Sequence, residues 1–228
     1  MLFARYGIFY TPPTGPFAQT GAAWLGWDAA TGETPEPPTI GALPLSRDDI
    51  TATPRRYGLH ATVKPPFRLA PGHCPDDLQD ALRTHCAALA PVQLAGLKLA
   101  PLGRFLALVP DGETGDLAAL AASTVRDLDR FRDAPTEDEL ARRRASGLTP
   151  AQDAMLLRWG YPYVLDEFRF HITLTGKMPK PALTKVAAVL QDYLLPHVPS
   201  PLTIDALSLM GEDRSGRFHL IHRYALSG

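Results

Sequence analysis

The sequence predicts an α+β protein built as two lobes from a duplicated unit. Three observations carry that expectation. Short segments with the alternation of half-buried strands are interleaved with segments of helical periodicity along the chain. Two of the strands carry the same pattern of histidine, any residue, threonine and aliphatic: His60-Ala61-Thr62-Val63 and His171-Ile172-Thr173-Leu174. Each pattern is followed by a Gly-Arg-Phe tripeptide at nearly the same distance, Gly103 lying 43 positions after His60 and Gly216 lying 45 after His171. The tripeptide alone means little; its agreement in offset points to repeat units near residues 55–110 and 165–226. With a helical insertion near residues 133–160, they make one two-lobed domain over residues 1–228.

Taken in order, residues 3–11 are β-branched and aromatic and read as a strand, stopped by Pro12-Pro13. Residues 16–30 read as a short helix, and a Pro-rich connection follows through 34–44. Residues 57–63 form the first histidine strand, ended by Lys64-Pro65-Pro66 because proline cannot donate to a ladder. Residues 75–89 are helical, with Asp76, Asp77 and Asp80 near the N-terminus, where the helix dipole favours acids. Strands at 92–99 and 104–109 come next, parted by Pro101 and Gly103. Leu117, Leu120, Val125, Leu128 and Phe131 mark an amphipathic helix over 116–131. Thr136-x-x-Glu139 and Thr149-Pro150-x-Gln152 read as two capped helix starts within 137–158. The second histidine strand spans 168–175, a helix spans 180–194, and strands at 202–210 and 217–224 flank a Gly-containing turn.

The composition, 45% hydrophobic and 21% charged over 228 residues, is that of an ordinary globular chain. Formal net charge is −1, with 23 basic and 24 acidic residues. A protein that held long nucleic acid by phosphate neutralisation would carry a basic excess or stripe. The only dense cluster, Arg142-Arg143-Arg144, follows Glu137, Asp138 and Glu139 and reads as a solvated, charge-compensated helix. An anionic ligand is therefore expected to be small. Cys74 and Cys86 are too few for a disulfide framework and spaced unlike a metal knuckle. The N-terminal segment lacks a long apolar core and a small-residue cleavage site, and no run of eighteen apolar residues occurs. The expectation is a monomeric cytoplasmic protein with no membrane partner, no long nucleic acid and no cofactor.

Two His-x-Thr tripeptides arise by accident with a probability on the order of one in ten, so their context decides their meaning. Side chains of a strand alternate between faces. Leu59, Ala61 and Val63 then share one face and His60, Thr62 and Lys64 the other; Phe170, Ile172 and Leu174 oppose Arg169, His171 and Thr173 in the same way. If the two polar faces meet across a cleft, two imidazoles and two hydroxyls converge. Such a set suits phosphodiester chemistry. A neutral histidine can take a proton from a nucleophile, and a protonated one can give a proton to the leaving oxygen. Threonine hydroxyls can donate to non-bridging phosphate oxygens, and a nearby cation can offset their charge. No HExxH is present, nor any close set of His and carboxylates, so no metal is expected. The same residues also fit two half-buried strands making ordinary hydrogen bonds, and a metal held between His60 and His171 is a third reading.

These motifs resemble the signature of the 2H phosphoesterase superfamily. The strings RYGLHATVKPPFRLA, WGYPYV and FRFHITLTG are more specifically similar to a DUF1045-type branch found with phosphonate-degradation operons, and the likeness covers nearly the whole chain. The resemblance implies a LigT-like bilobal fold, with two antiparallel sheets facing a central cleft and helices outside. It also implies metal-independent cleavage or ligation of a phosphodiester, with His60 and His171 as the acid–base pair and Thr62 and Thr173 as phosphate ligands. The operon setting implies a small ribosyl or nucleotide cyclic phosphate as substrate. RNA 2′,5′ ligation or end processing, and a non-catalytic sensor of a phosphorylated metabolite, are the competing functions.

Outside the motifs, Lys64 and Arg169 share the parity of the histidines and are candidate anion contacts, or else partners in rim salt bridges. Arg104 and Arg217 occupy equivalent repeat positions suited to turn capping. The segment Trp159-Gly160-Tyr161-Pro162-Tyr163 is expected either to close the core or to lie over the cleft as a lid.

Overall fold

Nine strands and seven helices form in the computed structural model, which describes residues 3–228. The strands are β1 (Arg5–Tyr10), β2 (Ala61–Phe67), β3 (Val92–Leu94), β4 (Gly96–Leu102), β5 (Phe105–Asp111), β6 (Ile172–Thr173), β7 (Leu202–Ile204), β8 (Ala206–Glu212) and β9 (Phe218–Ala225). The helices are α1 (Pro16–Leu25), α2 (Arg47–Arg55), α3 (Pro75–Ala87), α4 (Gly115–Asp127), α5 (Glu137–Arg144), α6 (Pro150–Trp159) and α7 (Lys180–Tyr193). No described helix is long and apolar enough to cross a membrane.

The expected α+β class stands, and its β-structure is one large antiparallel sheet and one small one. The large sheet runs β4-β5-β6-β2-β1-β8-β9, and β3 pairs with β7 apart from it. In place of two separate facing sheets, β4-β5-β6 and β2-β1-β8-β9 are two wings joined at a single residue pair, Ala61 with Ile172. Each histidine strand would otherwise expose an unpaired backbone edge, and each satisfies the other's. The repeat units are interleaved as well, because β5 of the first unit pairs with β6 of the second through Ala107–Thr173 and Leu108–Ile172.

Local features repeat with the units. The predicted strands at 92–99 and 202–210 each break in two, at Ala95 and at Asp205, and their first halves form the small sheet. Gly103 and Gly216 both sit in hairpin turns at positive φ, 62° and 81°, a backbone region that glycine enters without a Cβ clash. One face of the large sheet carries the main core: Ile8, Val63, Leu108 and Leu209 pack with Leu82 of α3, Leu120 of α4 and Val186 of α7. The opposite face carries a smaller apolar cluster of Phe9, Met210 and Phe218.

Three local expectations are corrected. The 57–63 strand begins only at Ala61 and runs through Pro65-Pro66 to Phe67. Register shifts against β1 absorb the two prolines, whose missing N–H groups are tolerated at bulges. The 168–175 strand shrinks to Ile172–Thr173. Helix α2, unanticipated, starts where the Ser46 side chain accepts a hydrogen bond from the Asp49 backbone N–H.

Candidate active site

The seam between the wings brings the two histidine motifs together. Ala61 and Ile172, paired across the seam, are fully buried on the helix side. Extending that antiparallel register by one residue each way sets His60 opposite Thr173 and Thr62 opposite His171, all on the other face. Directly opposed residues in such a pair stand with their Cβ atoms about 4.5–5.5 Å apart. On that register each histidine falls next to the other motif's threonine.

Both imidazoles are anchored in the same way. His60 Nδ1 lies 3.0 Å from the Gly58 carbonyl oxygen, and His171 Nδ1 lies 2.8 Å from the Arg169 carbonyl oxygen. A carbonyl only accepts, so each Nδ1 carries the proton and each Nε2 is left for chemistry. Gly58 adopts φ 72°, and a Cβ there would stand 3.0 Å from Ala29 Cβ. The anchor of His60 therefore depends on glycine.

The two environments differ. His60 is only 8% exposed. The Tyr57 ring stacks on it at 5.1 Å and 21°, and the Phe9 ring lies at 4.5 Å. Tyr57 is itself stacked on Phe218 at 4.7 Å. Burial pushes the His60 pKa down to about 4, the Gly58 carbonyl opposes that shift, and the nearby charge of His171 adds to it. His60 is accordingly neutral at neutral pH. His171 is half-buried, with the Phe105 ring 6.1 Å away. The Thr62 hydroxyl lies 3.3 Å from His60 Nε2, a long contact that an incoming group can replace.

Two predicted anion contacts lie elsewhere. Lys64 is 1% exposed, and its Nζ donates to the Val125 carbonyl and to Asp129 Oδ1, each at 3.1 Å. The cause is the bulge: Phe9 pairs with Thr62 but Ile8 pairs with Lys64, so one extra residue turns Lys64 onto the helix side. Arg169 lies three residues before β6, and its Nη1 donates to the carbonyls of Asp166 and Phe168. Its contribution near the site is the backbone oxygen that holds His171.

The other singled-out residues resolve as follows. Arg217 lies over the Trp27 ring at 4.5 Å, and Tyr161 lies beneath Arg143 at 4.7 Å. Tyr163 is exposed and meets Tyr161 edge to face. Phe9 and Tyr57 carry no motif of their own, and the place of Phe9 against His60 follows from the pairing of β1 with β2.

A model of the family described as "Protein of unknown function (DUF1045)" matches residues 62–219. A protein named ribose 1,5-bisphosphate phosphokinase PhnN, from Janthinobacterium sp. (strain Marseille), is 38% identical over 218 residues, covering 93% of this chain and 48% of the relative. Its namesake from Laribacter hongkongensis (strain HLHK9) is 36% identical over 177 residues, covering 76% of this chain and 40% of the relative. The chain thus spans about half the length, or less, of these curated relatives. Among solved structures, one described as a phosphoesterase is 14% identical with a TM-score of 0.44, each chain covered over 100% of its length. E. coli LigT complexed with 3′-AMP is 15% identical with a TM-score of 0.43, each chain covered over 99%. The family match takes in Thr62, His171, Thr173 and the strands β3 to β8, and by it the chain belongs to the DUF1045 family.

Proposed function

We propose that this chain is a phosphoesterase that cleaves a small cyclic or 2′-linked phosphodiester by paired-histidine acid–base catalysis without a metal ion. The observation that carries the reading is the pairing of Ala61 with Ile172 at the seam, which sets the two histidine motifs side by side with both Nδ1 atoms tied to backbone carbonyls. Buried, neutral His60 is placed to act as the base. Its Nε2 takes a proton from water as the water oxygen bonds to phosphorus, and His171 gives its proton to the departing alkoxide as the old P–O bond breaks. The Thr62 and Thr173 hydroxyls donate to the non-bridging oxygens.

A phosphorylated ribose as substrate is supported by the name of the curated relatives, ribose 1,5-bisphosphate phosphokinase. The kinase activity in that name is not carried over: the only Gly-Lys pair in the chain, Gly176-Lys177, is followed by Met178 and is not part of a P-loop motif.

The test is a hydrolysis screen in EDTA with 2′,3′-cyclic nucleotides, ribose cyclic phosphates and 2′,5′-linked dinucleotides. His60→Ala and His171→Ala are each expected to lose about 10²–10⁴-fold in kcat. Either variant turning over at the wild-type rate, or activity that chelator abolishes and added metal restores, would overturn the mechanism. Joining of RNA ends in place of hydrolysis would favour a ligase.

A further inference from the structure

The face that carries His60 continues into a second, cationic pocket. Side chains of β1 alternate, so Arg5 and Gly7 share the face of Phe9, which packs on His60. Arg5 stands four residues along the strand from Phe9, about 13 Å at roughly 3.3 Å per residue. There it lines a cavity of about 300 Å³ between the sheet and the helical insertion, with Arg68, Arg132, Arg142 and Arg143 and the carboxylates Asp133 and Glu139.

Three of the five guanidinium groups are fixed by carboxylates. Arg5 is held by Glu212 at 2.7 Å, Arg68 by Glu139 at 2.7 Å, and Arg132 by Asp129 at 2.8 Å. Arg142 and Arg143 make no ion pair among the described residues: Arg142 Nε donates to the Asp138 carbonyl at 3.3 Å, and Arg143 lies over Tyr161. Gly160, at φ 74°, closes α6 and leaves room for Arg132, whose Nη1 would stand 3.0 Å from a Cβ there. The pocket is thus a braced frame with two guanidinium groups to spare. Tyr57 stacks on His60 and on Phe218, on the same face of the sheet.

Guanidinium groups match phosphate oxygens bidentately, and a cavity of this size admits one phosphoryl or pyrophosphoryl group rather than a duplex. We propose that the pocket binds a second phosphate of the substrate, remote from the scissile one, so that the substrate class is a phosphodiester bearing an additional terminal phosphate. The catalytic half of this inference rests on the phosphodiesterase reading; the anion site does not.

Two measurements separate the halves. Isothermal titration of the full chain with inorganic pyrophosphate should show saturable binding that the paired change Arg142→Gln and Arg143→Gln weakens about tenfold or more and that His60→Ala retains. Restoring charge with Arg142→Lys and Arg143→Lys should recover part of it, which a folding defect would not allow. Absence of pyrophosphate binding, or binding indifferent to the paired change, overturns the pocket. For turnover, adenosine 2′,3′-cyclic phosphate is compared with its 5′-phosphorylated form. The wild type should prefer the latter in kcat/KM by about tenfold, and the paired change should bring the preference toward one. Equal turnover of both by the wild type overturns the substrate assignment. If neither is cleaved, the phosphodiesterase reading fails while the titration still decides the pocket. Tighter, arginine-dependent binding of a single-stranded oligonucleotide than of pyrophosphate would overturn the small-molecule assignment.

Discussion

Lys64→Met tests whether the bulge in β2 has moved this lysine from the cleft into the core. Burial pushes the Lys64 pKa down from 10.5 to about 8, even though Asp129 beside it raises it. The unfolded chain therefore holds a proton between about pH 8 and 10.5 that the folded chain has released, and stability rises with pH across that window. At about 1.4 kcal/mol per pKa unit, the rise attributable to Lys64 is about 3 kcal/mol; below pH 8 that stability is absent. Lys64→Met removes the charge and keeps most of the volume. Asp129 is not orphaned, since Arg132 Nε and Nη2 still hold its two oxygens at 2.8 and 3.0 Å. The variant should therefore be as stable as the wild type or up to about 2 kcal/mol more stable at pH 7, and lose the advantage by pH 10.5. Asp129→Asn leaves the ammonium buried with the Val125 carbonyl and should cost about 3 kcal/mol at pH 7. Urea unfolding at pH 7, 9 and 10.5 measures both, and subtracting the wild type cancels the other alkaline titrations. Unchanged stability at every pH together with a raised KM would show that the lysine serves the cleft, and a pH-independent loss above about 3 kcal/mol would refute the reasoning from burial.

Gly58→Ala should lower stability by about 1–2 kcal/mol, because its φ of 72° suits glycine and the added methyl meets Ala29. It should also reduce kcat beyond what the melting temperature explains, since the carbonyl that orients His60 moves. Arg169→Ala should leave kcat/KM within about threefold, because its guanidinium is engaged by two local carbonyls; a tenfold rise in KM would restore it as a substrate contact. His60 binds its proton less tightly folded, near pH 4, than unfolded, near 6.5. Stability should therefore fall by about 3 kcal/mol as pH drops through that window. His60→Gln should flatten that decline in acid unfolding curves, and an unchanged slope would show that the imidazole is solvated.

What could be read in advance was local. The capping boxes Thr136–Glu139 and Thr149–Gln152 both form as the sequence implies, because a cap is a bargain between residues three apart. Helix α2 escaped because its apolar pattern is short, although Ser46 and Asp49 carried a start signal. The parity of His60 with Thr62 held, the Thr62 hydroxyl lying 3.3 Å from His60 Nε2. It failed one step further, at Lys64, because β1 determines the bulge and strand pairing is not written in β2 alone.

By itself, then, the sequence determined the α+β class and most of the element types, and it pointed to the repeat and to the two histidine motifs, since each rests on spacings within one element or between its copies. Only the tertiary structure decided which wing each histidine strand joins, that the two wings share one sheet, and that Arg5 meets Arg142 and Arg143 around a pocket. Those outcomes bring together residues distant in the chain, Phe9 with Thr62, Leu108 with Ile172 and Ala61 with Ile172. Such contacts follow from which edges and faces remain unsatisfied after the local elements form, a property of the assembled chain rather than of any segment.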